Sequence, residues 1–148
     1  VTLQFRPANA EDGRQLLSLH TRAIRKLGKD QYSEKELISW AYGLSAEGYG
    51  LQMREEAYEV AQLPQGTIVG FCATKANVLR GLFVDPDHAR RGIGSQLLAR
   101  HPHLTHLTAS LPAVEFYKHH GWVEVRRWKE MSRGGLMMWA VDMERHLL

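Results

Sequence analysis

A chain of 148 residues, with 44% hydrophobic and 24% charged side chains, has the length and composition of one globular domain over 1–148. Its 19 Lys and Arg against 16 Asp and Glu leave a net charge of +3, too mild for the dense basic stripe of a nucleic-acid binder and better suited to a small anionic ligand. One cysteine, Cys72, excludes an internal disulfide, no apolar run reaches the ~20 residues that cross a bilayer, and residues 1–7 lack a secretory start, so the expectation is a cytoplasmic protein with no membrane partner.

The first strand is predicted over 2–6, ended by Pro7. Asn9 is a helix cap with Glu11 and Asp12 in the first turn, and Leu16, Leu17, Leu19, Ala23, Ile24 and Leu27 recur at helical spacing until Gly28. Ser33 and Glu36 make a capping box ahead of a short helix carrying Leu37, Ile38, Trp40 and Ala41. The three glycines between 43 and 50 read as loop. Strands follow over 56–63 and 67–75, joined by the turn Pro64-Gln65-Gly66, and over 78–84, stopped by Asp85-Pro86. A helix after Gly94 is carried by Leu97 and Leu98. A strand is predicted over 103–109, a helix over 112–119 closed by Gly121, and a last pair of strands over 122–128 and 136–144 around Arg133-Gly134-Gly135. The sum is a mixed α/β (α+β) fold, a mainly antiparallel central sheet flanked by helices.

The most informative stretch runs from Leu82 to Ser95, from an apolar strand through a basic turn into a helix. Bare N–H groups at a helix start attract phosphate, Gly92 and Gly94 let the backbone approach it closely, and Arg90 and Arg91 add forked donors. Leu97 stands where a dinucleotide fold wants its third glycine, and no Gly-Lys-Ser/Thr triplet marks a P-loop. The plainer reading is a glycine-rich helix entry with surface arginines. The turn resembles the pyrophosphate motif of the GNAT superfamily of acyl-CoA-dependent N-acyltransferases, Gln/Arg-x-x-Gly-x-Gly/Ala. Here Ala89-Arg90-Arg91-Gly92-Ile93-Gly94 departs from it at Ala89. A second stretch, from Ala109-Ser110 through Ala113 and Phe116-Tyr117 to Gly121-Trp122, is similar to the family's other signature in order and spacing.

That resemblance implies acetyl-CoA as cosubstrate and an amine of a small molecule or peptide as acceptor, attacked directly without a covalent enzyme intermediate. It implies that Arg90, Arg91, Gly92, Ile93, Gly94 and Ser95 hold the pyrophosphate, with Ser110 also on the coenzyme, and that the backbone of Phe83 and Val84 aligns the pantetheine arm and thioester. Tyr117 is then the general acid for the departing thiolate; its plainer role is a core tyrosine. Where some members carry a glutamate near the start of this strand, the chain has Val78, leaving a water chain or a carboxylate such as Glu59 as base. Only 15 residues separate Gly94 from Ser110, which puts the adenine end of the coenzyme site in question.

His101, His103 and His106 are read as surface histidines and no metal is expected, because Pro102 breaks the helical spacing a ligand pair would use. Cys72 reads as a buried structural thiol, and His119 and His120 as a helix end. Tyr32, Trp40, Trp122 and Trp139 either line an acceptor pocket or pack in the core. A homodimer is admitted by the sequence. Two other functions remain open at this stage: a non-catalytic acyl-CoA-binding module, and a nucleotide- or RNA-binding domain.

Overall fold

The computed structural model describes residues 2–147. Strands β1 (Gln4–Pro7), β2 (Ala57–Gln62), β3 (Ile68–Lys75), β4 (Val78–Val84), β5 (His106–Ser110), β6 (Val123–Met131) and β7 (Met137–Glu144) form one sheet in the order β1-β2-β3-β4-β5-β7-β6. Helices α1 (Gly13–Gly28), α2 (Glu34–Ala41), α3 (Ala46–Gln52), α4 (Ile93–Ala99) and α5 (Val114–His119) cover it. Among the described residues no helix is long and apolar enough to cross a membrane.

Local chemistry sets most boundaries. Asn9 and Asp12 form a capping box over a 3-10 turn that leads into α1, and Ser33 and Glu36 form the predicted box on α2. On α1 the buried residues Leu16, Leu19, His20, Ala23 and Ile24 fall on one stripe, three or four apart. The segment read as a glycine loop is instead helical in α3. Ser45 Oγ accepts from Gly48 N at 3.1 Å, Tyr49 anchors the turn in the core, and only Gly43 of the three glycines has a positive φ, +75°. At β5 the strand starts three residues later than predicted, because Arg145 donates to the carbonyls of Leu104 (2.7 Å) and His101 (3.0 Å) and fixes the preceding turn. That closed turn and a two-turn α4 account for the short Gly94–Ser110 span.

The helices form two layers. Leu16, Leu19 and Tyr49 pack with Phe71 on one face of β3, while Leu97, Leu98, Val114, Tyr117 and Trp122 pack with Cys72 on the other. β3 is buried along nearly its whole length, as its unbroken apolar run requires of a central strand. Gly70 lets α4 sit against β3: a Cβ there would lie 2.9 Å from Ile93 Cγ2 and 3.1 Å from Leu97 Cδ1.

Every strand pairing is antiparallel except β4 with β5, which faces only at Val78–His106 and Leu79–Leu107. A register shift between Ala73 and Thr74, opposite Arg80, bends β4 at that point. Beyond Leu79 the two parallel strands part, and the sheet opens into a V whose mouth lies between Val84 and Ser110.

Candidate active site

The split sheet leaves the β5-facing edge of β4 unpaired beyond Leu79. Asp85 N donates to Val69 O at 2.8 Å, so Asp85 and, two residues back, Phe83 turn their peptide groups toward β3. Alternation then turns the N–H groups of Val84 and Leu82 into the gap. The sequence reading named Phe83 and Val84. Of these two residues, Val84 turns its N–H into the gap, as Leu82 does, while Phe83 turns its own toward β3 and packs its ring 4.2 Å from His20 and 5.7 Å from Phe71 between centroids.

The basic turn is built on Asp85, which is 5% exposed. Its carboxylate takes two bonds from Arg22, at 2.7 and 3.3 Å, and caps the next turn by accepting from Asp87 N at 2.9 Å. Burial alone would raise this carboxyl, but Arg22 and the Asp87 amide outweigh it and hold the group below the usual carboxylate range. The chain then bends through two left-handed residues, Arg90 (φ +64°) and Gly92 (φ +76°). Such a succession of turns makes a concave nest of N–H groups. The amides of Arg90, Arg91, Gly92, Ile93, Gly94 and Ser95 find no acceptor among the described residues. Arg90 and Arg91 point to solvent, whereas the Ile93 side chain belongs to the core and can offer a ligand only its backbone. Ser95 Oγ lies 2.9 Å from His120 Nε2, and His120 Nδ1 donates to Phe116 O at 2.8 Å, so the serine hydroxyl donates to the ring. His120 thus holds Ser95 in place.

Beside the gap lies a cavity of about 560 Å³. It is lined by His20, Tyr32, Trp40 and Trp139 from one side and by Ser110 and Tyr117 at the parted strands. Trp122 is not among its walls; it is core, with the Arg145 guanidinium 4.8 Å above its ring. Tyr117 is 6% exposed, its hydroxyl has no partner among the described residues, and burial pushes the phenol well above its ordinary acidity range. The phenol therefore keeps its proton at neutral pH. Tyr32 spans the mouth of the V, donating to Trp139 O at 2.7 Å and accepting from Leu111 N at 2.9 Å. Two carboxylates reach the cavity. Glu56 is paired with Arg80 Nε at 3.0 Å, and Glu130 is raised by burial and by Asp142. Glu59 does not reach it: Arg100 and His101 hold its carboxylate at 2.9 Å outside the cavity, which removes it as a base.

The sequence did not single out Leu82, His20, Glu130 or the bridging role of Tyr32. Only the apolar stripe of α1, with a histidine inside it, carried a signal for any of them.

Residues 54–124 match the model of the acetyltransferase (GNAT) domain. The Escherichia coli K12 protein described as the uncharacterized N-acetyltransferase YafP is 27% identical over 136 residues, 89% of each chain. A crystal structure from Rhodopseudomonas palustris, described as a GCN5-related N-acetyltransferase, aminotransferase class II, superposes with a TM-score of 0.87 at 27% identity, over 99% of this chain and 97% of that one. The PaiA N-acetyltransferase of Thermoplasma acidophilum, solved in complex with coenzyme A, shares the fold with a TM-score of 0.71 at 20% identity, over 99% of this chain and 100% of the other. A parted parallel strand pair, a nest of free amides beside it and these likenesses in sequence and shape agree: the chain has the GNAT fold, and residues 54–124 carry the match to the acetyltransferase (GNAT) domain.

Proposed function

We propose that the protein transfers the acetyl group of acetyl-CoA to an amine of a small molecule or peptide by direct attack. The observation that carries this reading is the order of groups along the unpaired edge of β4: the cavity with Tyr117 at Leu82, the amides of Leu82 and Val84 turned into the gap, and past Asp85 the amide nest of residues 90–95. A fold neighbour solved with coenzyme A supports the choice of cosubstrate.

In this account the pyrophosphate rests on the nest, with Arg90 and Arg91 adding charge from the rim and Ser95 a hydroxyl. The pantetheine arm pairs with β4 as an added strand, and Ser110 borders it from β5. The Leu82 amide faces the thioester oxygen and stabilises the oxyanion as the amine nitrogen bonds to the carbonyl carbon. Collapse breaks the carbon–sulfur bond; Tyr117 gives its proton to the leaving sulfur. Glu130, whose affinity for a proton is raised, takes the proton shed by the amine, and with Glu56 it favours a cationic acceptor.

The test is release of coenzyme A thiol from acetyl-CoA in the presence of a panel of polyamines, amino acids and peptide N-termini. Amine-dependent release, lowered in Glu130→Gln with acetyl-CoA binding intact, is the expected result. Saturable acetyl-CoA binding with no release for any amine would replace the enzyme with a binding module.

A further inference from the structure

Three groups that the reaction does not use meet on the other side of β3. Glu59 on β2 stands directly opposite Cys72 on β3 in the strand register, and His101 closes over both from the turn after α4. His101 Nε2 is 2.9 Å from Glu59 Oε1 and 3.5 Å from Cys72 Sγ. The three ligand atoms all lie within 4.8 Å of one another, and none of these residues lines the cavity.

We propose that Glu59, Cys72 and His101 bind one zinc-class divalent cation. The donor set is thiolate, imidazole and carboxylate, the mixture that a borderline-soft ion such as Zn²⁺ selects. The spacing agrees. Tetrahedral zinc with a bond of about 2.3 Å to sulfur and about 2.05 Å to nitrogen sets the two ligand atoms about 3.6 Å apart, and nitrogen and oxygen about 3.4 Å apart. The sulfur–nitrogen distance already has that value, and the carboxylate needs to withdraw by roughly 0.5 Å. Without an ion, the single hydrogen that Nε2 can carry is divided between an oxygen and a sulfur. A cation at the centre engages all three at once, the thiol proton leaving to solvent, with a fourth position open to water.

The surroundings hold each ligand in place. Arg100 grips the other carboxylate oxygen, Glu59 Oε2, through Nε at 3.0 Å and Nη2 at 2.9 Å, and its guanidinium rests 4.6 Å over the Phe5 ring. This leaves Oε1 turned toward the histidine and the thiol, the outer-shell support that metal carboxylates use. His101 is fixed through its backbone, its N–H to Leu98 O at 3.1 Å and its carbonyl to Arg145. Cys72 is 1% exposed, while Glu59 and His101 are half-buried and give an ion its way in. The ion would clamp β2 and β3 to the far end of α4, the helix whose near end carries Gly92 and Gly94. The histidine that the sequence assigned to the surface becomes a ligand through its fold neighbours, with no helical ligand spacing needed.

The experiment uses the whole chain stripped with a chelator, titrated with ZnCl₂ by calorimetry and with CoCl₂ by absorbance. One ion per chain, a thiolate-to-cobalt charge-transfer band and a zinc-dependent rise in Tm are expected. Cys72→Ala and His101→Ala each lower zinc affinity by about 100-fold or more, whereas His103→Ala, on the same surface, leaves it unchanged. Glu59→Gln, which keeps a hydrogen-bonding tip for Arg100 and the fold, weakens binding by about tenfold or more. No zinc uptake by the stripped chain, a cobalt spectrum without the charge-transfer band, or an affinity indifferent to Cys72→Ala would each overturn the site.

Discussion

Replacing His20 with glutamine should flatten the acid sensitivity of the fold. The imidazole is 5% exposed, packed 4.2 Å from Phe83 and 5.5 Å from Phe71 between centroids, with Nδ1 2.9 Å from the Tyr49 hydroxyl. Burial, then the charge of Arg133, hold its pKa down to about 3 from 6.5. The unfolded chain takes up a proton at this residue below pH 6.5, and the folded chain does not until about pH 3. Stability therefore falls as pH drops through that window, by about 1.4 kcal/mol per pH unit from this residue alone. Between pH 7 and pH 5 that amounts to about 2 kcal/mol. Glutamine keeps a polar partner for Tyr49 but does not titrate. Urea unfolding of both proteins at the two pH values reads the difference: the wild type should lose about 2 kcal/mol more than His20→Gln. Parallel losses would refute the claim that the cavity wall keeps this ring neutral.

Tyr117→Phe should lower kcat by about 100-fold or more while leaving acetyl-CoA affinity and Tm nearly unchanged, because it removes the proton-donating hydroxyl and keeps the packed ring; full turnover across pH in steady-state assays would make Tyr117 a core residue only. Gly70→Val should cost about 1–3 kcal/mol in urea unfolding, since even the first added carbon lies 2.9 Å from Ile93 Cγ2 and α4 has to shift. An unchanged unfolding midpoint would mean that α4 does not need that close approach.

The sequence was legible where structure is decided within a few residues. The cap at Asn9, the box at Ser33, the turn at Gly66 and the apolar run of β3 announce themselves because each is a local hydrogen-bonding or burial pattern. The same reasoning failed at α3, where Gly48 and Gly50 suggested a loop; the Ser45 cap and the burial of Tyr49 outweigh the helix propensity that glycine lacks. At the candidate site the nest residues were readable as a motif, but the choice between Phe83 and Leu82 was not. It depends on which side of β4 is paired, a fact of sheet order rather than of residue type. The trio of Glu59, Cys72 and His101 was hidden for a related reason: strand register and a turn bring together residues far apart in the chain. The tryptophans split on the same ground, Trp40 and Trp139 facing the cavity and Trp122 closing the core.

The most direct test of the account is a calorimetric titration of acetyl-CoA into the wild type and into Val84→Pro. Proline deletes one N–H, and at Val84 that group faces the gap, so no bond to β3 is lost and the fold should persist. The account predicts saturable binding by the wild type, weakened about tenfold or more in the variant at a nearly unchanged Tm. Equal affinity in the two proteins, or no binding by the wild type, would contradict it.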